Sequence, residues 1–256
     1  MVWQFARLIA HRGGGTLAPE NTIAAIAHGV SEGYHAVEFD VMLSKDRIPV
    51  LMHDEYTGRT VKSSIKGVGD HLAEELLSLD AGSWFDATKY SHVRVPLFTD
   101  VLSYCQQNKV WMNIEIKPYP GVEELTGTVV AASTKTFFDA LPDLSANALP
   151  LFSSFSYESL LAAKSAAPLF KRGYLIDNLS EVPDWKERCR NLEAYSLHVN
   201  HRYLTAALVQ EIKSEGLGLF CYTVNNVERA KEIVSWGVDS FCTDRLDLFR
   251  DFQFHS

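Results

Sequence analysis

The chain has 256 residues, of which 46% are hydrophobic and 22% charged, and a formal net charge of −8. That length suits one large domain or two small ones, with the composition of a globular fold. The acidic balance speaks against nucleic acid or an anionic membrane surface as the main partner, because both require a basic patch.

No apolar stretch approaches the ~20 residues of a membrane span. The first residues, Met1-Val2-Trp3-Gln4-Phe5-Ala6-Arg7, show no basic segment followed by a long apolar run, so no secretory signal is expected. The four cysteines, Cys105, Cys189, Cys221 and Cys242, are scattered without metal-ligand spacing and have apolar flanks, as buried reduced thiols do. Together these features predict a cytoplasmic protein.

Residues 7–10 read as a strand, 22–30 as a helix and 36–43 as a strand. Residues 48–52 form another strand after only Ser44-Lys45-Asp46-Arg47, a gap too short for a helix. One of these two segments is therefore an extension and not a barrel stave. From about 55 to 95 the rhythm breaks. This stretch is rich in Gly, Ser, Lys and Asp, with a short helical piece near 71–79. It reads as an insertion on the functional end of the fold, equally a variable surface loop or a substrate gate. From 110 onward strands and helices alternate: strand 110–116, helix 124–138, strand 149–155, helix 157–166 and strand 172–176. A helix capped by Asp184 follows, with Glu187 three residues on and Trp185, Cys189 and Leu192 on one face. Then come strand 194–199, a helix from Thr205 ended by Gly216, strand 217–224, a helix from Asn226 ended by Gly237, and strand 238–242. Such alternation implies right-handed βαβ units and a parallel sheet. About eight units in this length predict an α/β fold, a (β/α)8 TIM barrel with a small inserted subdomain at about 55–95, read as a single domain over 1–256. A doubly wound open sheet is the runner-up, but no Gly-rich dinucleotide fingerprint follows any strand.

Side chains two apart share a strand face. Glu38 and Asp40 therefore point together, as do Asn113, Glu115 and Lys117, while Phe39, Ile114 and Ile116 face the other way. Carboxylates gathered in one place repel and need a cation. The strand ends also carry His11-Arg12, His53-Asp54, residues 153–155, Asn200 and residues 222–225. Two histidines, three carboxylates and two cations make a complete set for metal-assisted phosphoryl hydrolysis. Each alone has a plainer reading: Glu38 as half of a buried ion pair, Lys117 as a partner of Glu115, Arg12 as a partner of one carboxylate. Gly13-Gly14-Gly15 would let backbone approach a ligand closely. Of the remaining histidines, His28, His35, His71, His92 and His255 read as surface residues. His198 and His201 lie near the mouth without an evident partner.

In order along the chain stand His11-Arg12-Gly13, Pro19-Glu20-Asn21-Thr22, Glu38-Phe39-Asp40, His53-Asp54 and Glu115-Ile116-Lys117. Ser153-Ser154-Phe155, Thr223-Val224-Asn225, Gly237-Val238-Asp239 and Cys242-Thr243-Asp244 follow. With this set the chain resembles the glycerophosphodiester phosphodiesterases, and most of all their small cytosolic bacterial form. That form shares the His-Arg-Gly-Gly-Gly start and the Asp80-Ala81-Gly82-Ser83-Trp84 segment of the insertion. The resemblance implies a (β/α)8 barrel that hydrolyses glycerophosphodiesters, such as glycerophosphocholine or glycerophosphoethanolamine, to glycerol 3-phosphate and an alcohol. It implies that Glu38, Asp40 and Glu115 hold one divalent metal ion (Mg2+, Ca2+ or Mn2+) and that His11 and His53 are the acid/base pair. It further implies that Arg12 and Lys117 contact phosphate, that Phe155 and Tyr222 contact substrate, and that Asn21 caps the first helix. Tyr222 stands where the family often has Trp, and Asp46-Arg47 where it has Asp-Gly.

Three rivals accompany this reading. A Mg-dependent lyase or aldolase would leave two histidines and Arg12 with less to do. A catalytically silent metabolite-binding barrel would need no acid/base pair. A lysophospholipase D-type enzyme would need an apolar patch for an acyl chain, which Phe85, Tyr90 and Phe98 could supply.

Overall fold

In a computed structural model, residues 3–62, 65–142 and 148–254 are described. Chain order runs β1 (Leu8–Ala10), α1 (Ile23–Ser31), β2 (Ala36–Leu43), β3 (Pro49–Leu51), α2 (Ala73–Ser78), α3 (Ser83–Tyr90), α4 (Phe98–Gln107) and β4 (Trp111–Ile116). It continues α5 (Glu123–Asp139), β5 (Leu151–Ser154), α6 (Tyr157–Ala166), β6 (Lys171–Ile176), α7 (Trp185–Leu192) and β7 (Ser196–Asn200). Last come α8 (Ala206–Ser214), β8 (Gly218–Tyr222), α9 (Val227–Trp236), β9 (Ser240–Thr243) and α10 (Leu246–Phe249).

All strands but β3 run parallel, and the sheet closes on itself. β1 pairs with β9 on one side, Ile9 opposite Cys242, and with β2 on the other, Ala10 opposite Val37. The result is the (β/α)8 barrel. All eight residues of β2 are buried, because its outer face lies under helices and its inner face lines the barrel. Phe39, Ile114, Phe152 and Phe241 pack outward against helical residues such as Phe98, Leu160 and Ile233. At the N-terminal end Phe5 stacks on Trp111 (4.7 Å between centroids) and meets Tyr195 at 5.0 Å, plugging the floor. Ile9, Ala36, Phe220 and Cys242 fill the interior above it.

The ninth strand is the extension. β3 runs antiparallel to the far end of β2, Leu43 opposite Pro49 and Val41 opposite Leu51. In the turn between them Arg47 takes φ +65°, the left-handed conformation that glycine would otherwise supply. β2 thus overshoots the barrel and β3 brings the chain back, so that the Met52 amide donates to the Asp40 carbonyl at 3.2 Å. The insertion follows with a core of its own: Val61, Val68, Leu76, Ala81 and Val95 pack on Met42, Val50 and Met52.

Some local expectations change. Helix α4 is absent from the sequence reading, although Phe98, Val101, Leu102 and Cys105 are its buried stripe. It starts at Leu97 without a side-chain cap, so no start signal marks it. Asp184 stands at the start of α7 but makes no capping bond; its carboxylate accepts from Arg188 Nε at 2.9 Å. Of the histidines expected on the surface, His35 and His92 are exposed and His28 is half-buried. His71 is buried, 3.3 Å from Glu75, and His255 lies outside the described residues. His198 is not a mouth residue. It lies in the barrel interior, bonded to Ser196 Oγ at 2.9 Å and stacked on Phe220. It fills the space that Gly173 leaves, where a Cβ would meet its ring at 2.2 Å. Burial pushes its imidazole down to about 3, so it stays neutral.

Candidate active site

The C-terminal ends of the strands bring the candidate residues together. Glu38 and Asp40 on β2 and Glu115 on β4 point inward, as the two-residue period requires, and one oxygen from each lies within 4.8 Å of the others. Oxygens bound to a single ion at ~2.0–2.6 Å lie at most about 5 Å apart, so the three carboxylates fit one hard divalent cation. Among the described residues Glu38 Oε1 is buried with no donor, an oxygen that a cation would satisfy. The all-oxygen donor set suits Mg2+, Ca2+ or Mn2+.

Burial, and then the charges of Asp40 and Glu115, raise Glu38 well above the ordinary carboxylate range. Burial and the charge of Asp40 push Glu115 up to about 8. Asp40 is equally buried, yet the Lys117 and Arg12 charges outweigh that cost and hold it low. Lys117 Nζ lies 3.4 Å from Asp40 and 3.8 Å from Glu115. Arg12, at φ +50° in the turn after β1, donates its backbone amide to Glu38 Oε2 at 3.1 Å. Its guanidinium reaches Glu20 at 2.8 Å and approaches Asp40 at 3.7 Å. Around the site six carboxylates (Glu20, Glu38, Asp40, Asp54, Glu115, Asp244) face three permanent cations (Arg12, Arg59, Lys117). Ionising all six would leave an excess of negative charge, which a bound cation would offset.

Each histidine is held by a carboxylate that the sequence reading did not assign. His11 Nδ1 lies 2.6 Å from Asp244 Oδ1, whose other oxygen accepts from Asn225 at 2.9 Å. His11 Nε2 faces Glu38 at 3.7 Å. His53 Nδ1 lies 2.7 Å from Asp54 Oδ1. Its imidazole is held below its ordinary value by burial first and by the charges of Arg12 and Lys117, against Asp40 and Asp54. The signal for Asp54 was its adjacency to His53; Asp244 sits 233 residues from His11 and only barrel closure unites them.

Asn21 does not cap α1. Thr22 does, accepting from the Ala25 amide at 3.0 Å. Asn21, at φ +55°, clamps Asp40 instead: its Nδ2 donates to Oδ2 at 2.8 Å and its Oδ1 accepts from the Asp40 amide at 3.0 Å. The glycine run serves the protein's own backbone. Gly15, at φ +54°, lies against the strand-β9 exit, where a Cβ would stand 2.2 Å from the Asp244 carbonyl oxygen.

Phe155 and Tyr222 meet edge to face, 5.8 Å apart, at the rim of a cavity of about 30 Å³. His11, Glu38, Asn113, Glu115 and Ser153 also line it. The aromatics expected to offer an acyl surface turn inward: Phe98 is fully buried, Tyr90 nearly so, and Phe85 packs on Tyr90 at 5.8 Å. Among the described residues no helix is long and apolar enough to cross a membrane.

The profile of the glycerophosphoryl diester phosphodiesterase family matches residues 11–248. A glycerophosphodiester phosphodiesterase of Caldanaerobacter subterraneus subsp. tengcongensis is 34% identical over 241 residues, covering 93% of each chain. A phosphodiesterase of Oleispira antarctica, solved in complex with the product sn-glycerol-3-phosphate, superposes with TM-score 0.85 and 32% identity over 96% of each chain. A glycerophosphodiester phosphodiesterase of Agrobacterium tumefaciens gives TM-score 0.77 at 26% identity, covering 96% of this chain and 99% of that one. The match begins at His11 and takes in the acidic triad and both histidine–carboxylate pairs, so that fold, site and sequence agree: the chain belongs to the glycerophosphoryl diester phosphodiesterase family.

Proposed function

We propose that this protein hydrolyses glycerophosphodiesters such as glycerophosphocholine and glycerophosphoethanolamine to glycerol 3-phosphate and an alcohol, with a divalent metal ion held by Glu38, Asp40 and Glu115. The observation that carries the reading is the pair of imidazoles beside that triad, each with Nδ1 on a carboxylate (2.6 Å for His11, 2.7 Å for His53). Committing Nδ1 leaves Nε2 of each ring for the substrate and fixes the ring's orientation. When bound, the ion supplies Lewis-acid polarisation of a phosphate oxygen.

Arg12 and Lys117 bind the phosphate and offset the charge that builds on it. One imidazole takes the proton of the attacking hydroxyl, that of water or of the glycerol C2 position; attack from C2 closes a cyclic phosphate that water then opens to glycerol 3-phosphate. The other protonates the leaving alkoxide. Burial keeps His53 neutral near pH 7, the state a base requires. Phe155 and Tyr222 wall the glycerol carbons. The product found in the Oleispira antarctica relative supports this substrate class. The four cysteines are buried and unpaired, which suits a reducing cytoplasm.

The test is release of glycerol 3-phosphate from glycerophosphocholine, first with chelator and then with Mg2+, Mn2+ or Ca2+ restored. Metal-dependent release supports the reading and identifies the working ion. No release with any of the three would turn the assignment to lysophospholipids, and then to a silent binding barrel.

A further inference from the structure

One side chain outside the barrel touches both halves of this machinery. Arg59, in the insertion, donates from Nη1 to Glu20 Oε2 at 2.9 Å and from Nη2 to Glu20 Oε1 at 2.7 Å. The same Nη2 reaches Asp54 Oδ1 at 2.8 Å, and Nε donates to Asp54 Oδ2. Two carboxylates are thus gripped on adjacent edges of one planar guanidinium, a geometry that an ammonium lacks. Glu20 in turn holds Arg12 Nη1 at 2.8 Å, and Asp54 holds His53 Nδ1 at 2.7 Å. The relay runs Arg12–Glu20–Arg59–Asp54–His53.

We propose that Arg59 is a positioning residue for both Arg12 and His53, and that presenting it is what the insertion contributes to the reaction. The proposal rests on the phosphodiesterase reading above. An exposed ion pair is ordinarily worth little, and the Arg59 side chain is 46% exposed. Here, however, both partners are spent on groups that meet the substrate, so the bond sets orientation. Without Arg59, two anions face each other across its empty place. Glu20 and Asp54 would then turn toward water and take Arg12 and His53 with them.

The insertion holds Arg59 firmly. Thr60 and Val61, the next residues, are buried, and Val61 packs in the insertion's own core with Met42 and Val68. The Gly58 amide donates to the Val61 carbonyl at 3.1 Å, closing the turn that carries Arg59. Tyr56 pairs with Gly67 across the base of the loop.

The experiment is steady-state kinetics of R59A, R59K and R59A/H53A on glycerophosphocholine at saturating metal, with circular dichroism confirming the fold. Loss of an outer-shell orienting group typically costs roughly 10–100-fold. R59A should therefore lower kcat/KM by that factor, through a higher KM, from Arg12, and a lower kcat, from His53 and from the part of Arg12 in offsetting phosphate charge. R59K, with the charge but not the fork, should recover only part. In the H53A background, R59A should still raise KM but lower kcat less than it does in the wild type, because the share of the kcat effect that acts through His53 is already lost. An R59A enzyme within threefold of wild type would overturn the proposal, and so would kcat losses that multiply in the double variant. A wild-type protein inactive on glycerophosphocholine would instead refute the functional reading. Arg59 is then judged by proton NMR of the His53 Nδ1–H, which should broaden or shift in R59A; an unchanged resonance would overturn the proposal without any turnover.

Discussion

Metal binding at the triad should tighten steeply as pH rises. A carboxylate ligand must be ionised, and Glu115 is pushed up to about 8 by burial and by the neighbouring Asp40 charge. At pH 7 it would be protonated roughly nine times in ten, and ionising it costs ~1.4 kcal/mol. The apparent Kd should therefore be about tenfold weaker at pH 7 than at its high-pH plateau, and about 100-fold weaker at pH 6. Glu38, also raised by burial and by its acidic neighbours, adds a second proton and steepens the slope. Asp40, which Lys117 and Arg12 hold low against the cost of burial, contributes none in this range. The sign for stability follows from the same shift. A carboxyl whose folded value lies above its ordinary one stabilises the fold while protonated, and that stability is lost as pH rises toward 8. The metal-free protein should thus lose Tm between about pH 5 and 8, while the loaded protein does not. Calorimetric titration with Mn2+ at pH 6, 7 and 8, in two buffers of different ionisation enthalpy, gives both Kd and protons released. A Kd that moves less than threefold across this range, with no proton release, would refute the argument that these carboxyls are buried together and compete with protons for the ion.

Replacing either histidine, His11→Ala or His53→Ala, should lower kcat by at least ~100-fold with metal affinity nearly intact; near-normal turnover removes that residue from the chemistry. Asn21→Ala should weaken metal affinity by roughly 10–100-fold through loss of the Asp40 clamp. By contrast, Thr22→Ala should cost about 1 kcal/mol of stability with kcat/KM unchanged; equal effects in the two would refute the division of roles. Gly15→Ala, which drives a Cβ into the Asp244 carbonyl, should disturb His11 and lower kcat and Tm together. Phe98→Ala, at a fully buried site, should cost about 3–5 kcal/mol by chemical denaturation with little change in KM; a cost under ~1 kcal/mol would contradict its placement in the core.

The barrel was legible because alternation of short apolar runs and helical patterns is a local property, and because parallel strands covered on both faces are mostly apolar, as β2 is apart from Glu38 and Asp40. The acidic triad was legible for a similar reason. A period of two sends Glu38 and Asp40 to one face and Asn113, Glu115 and Lys117 to one face, whatever the rest of the chain does. Helix α4 was not, although its buried residues have helical spacing, since it follows the insertion directly and Leu97 offers no cap. The nine strand candidates left it open which one was the extension; only the antiparallel register of β3 on β2 decides that.

The partners of the site are a different matter. That Asp244 holds His11 depends on β9 closing against β1, and that Asn21 clamps Asp40 depends on the turn after β1 folding over β2. His198 looked like a mouth residue until Gly173 on the neighbouring strand made room for it inside. Arg59 stood unremarked in a polar insertion, and only the insertion's packing on β3 carries it to Glu20 and Asp54. The sequence by itself determined which face of each strand carries charge, because side-chain direction along a strand is a matter of bond geometry. Tertiary structure decided which charges meet, because those pairs join residues distant in the chain whose separation is set by barrel closure and by the seating of the insertion.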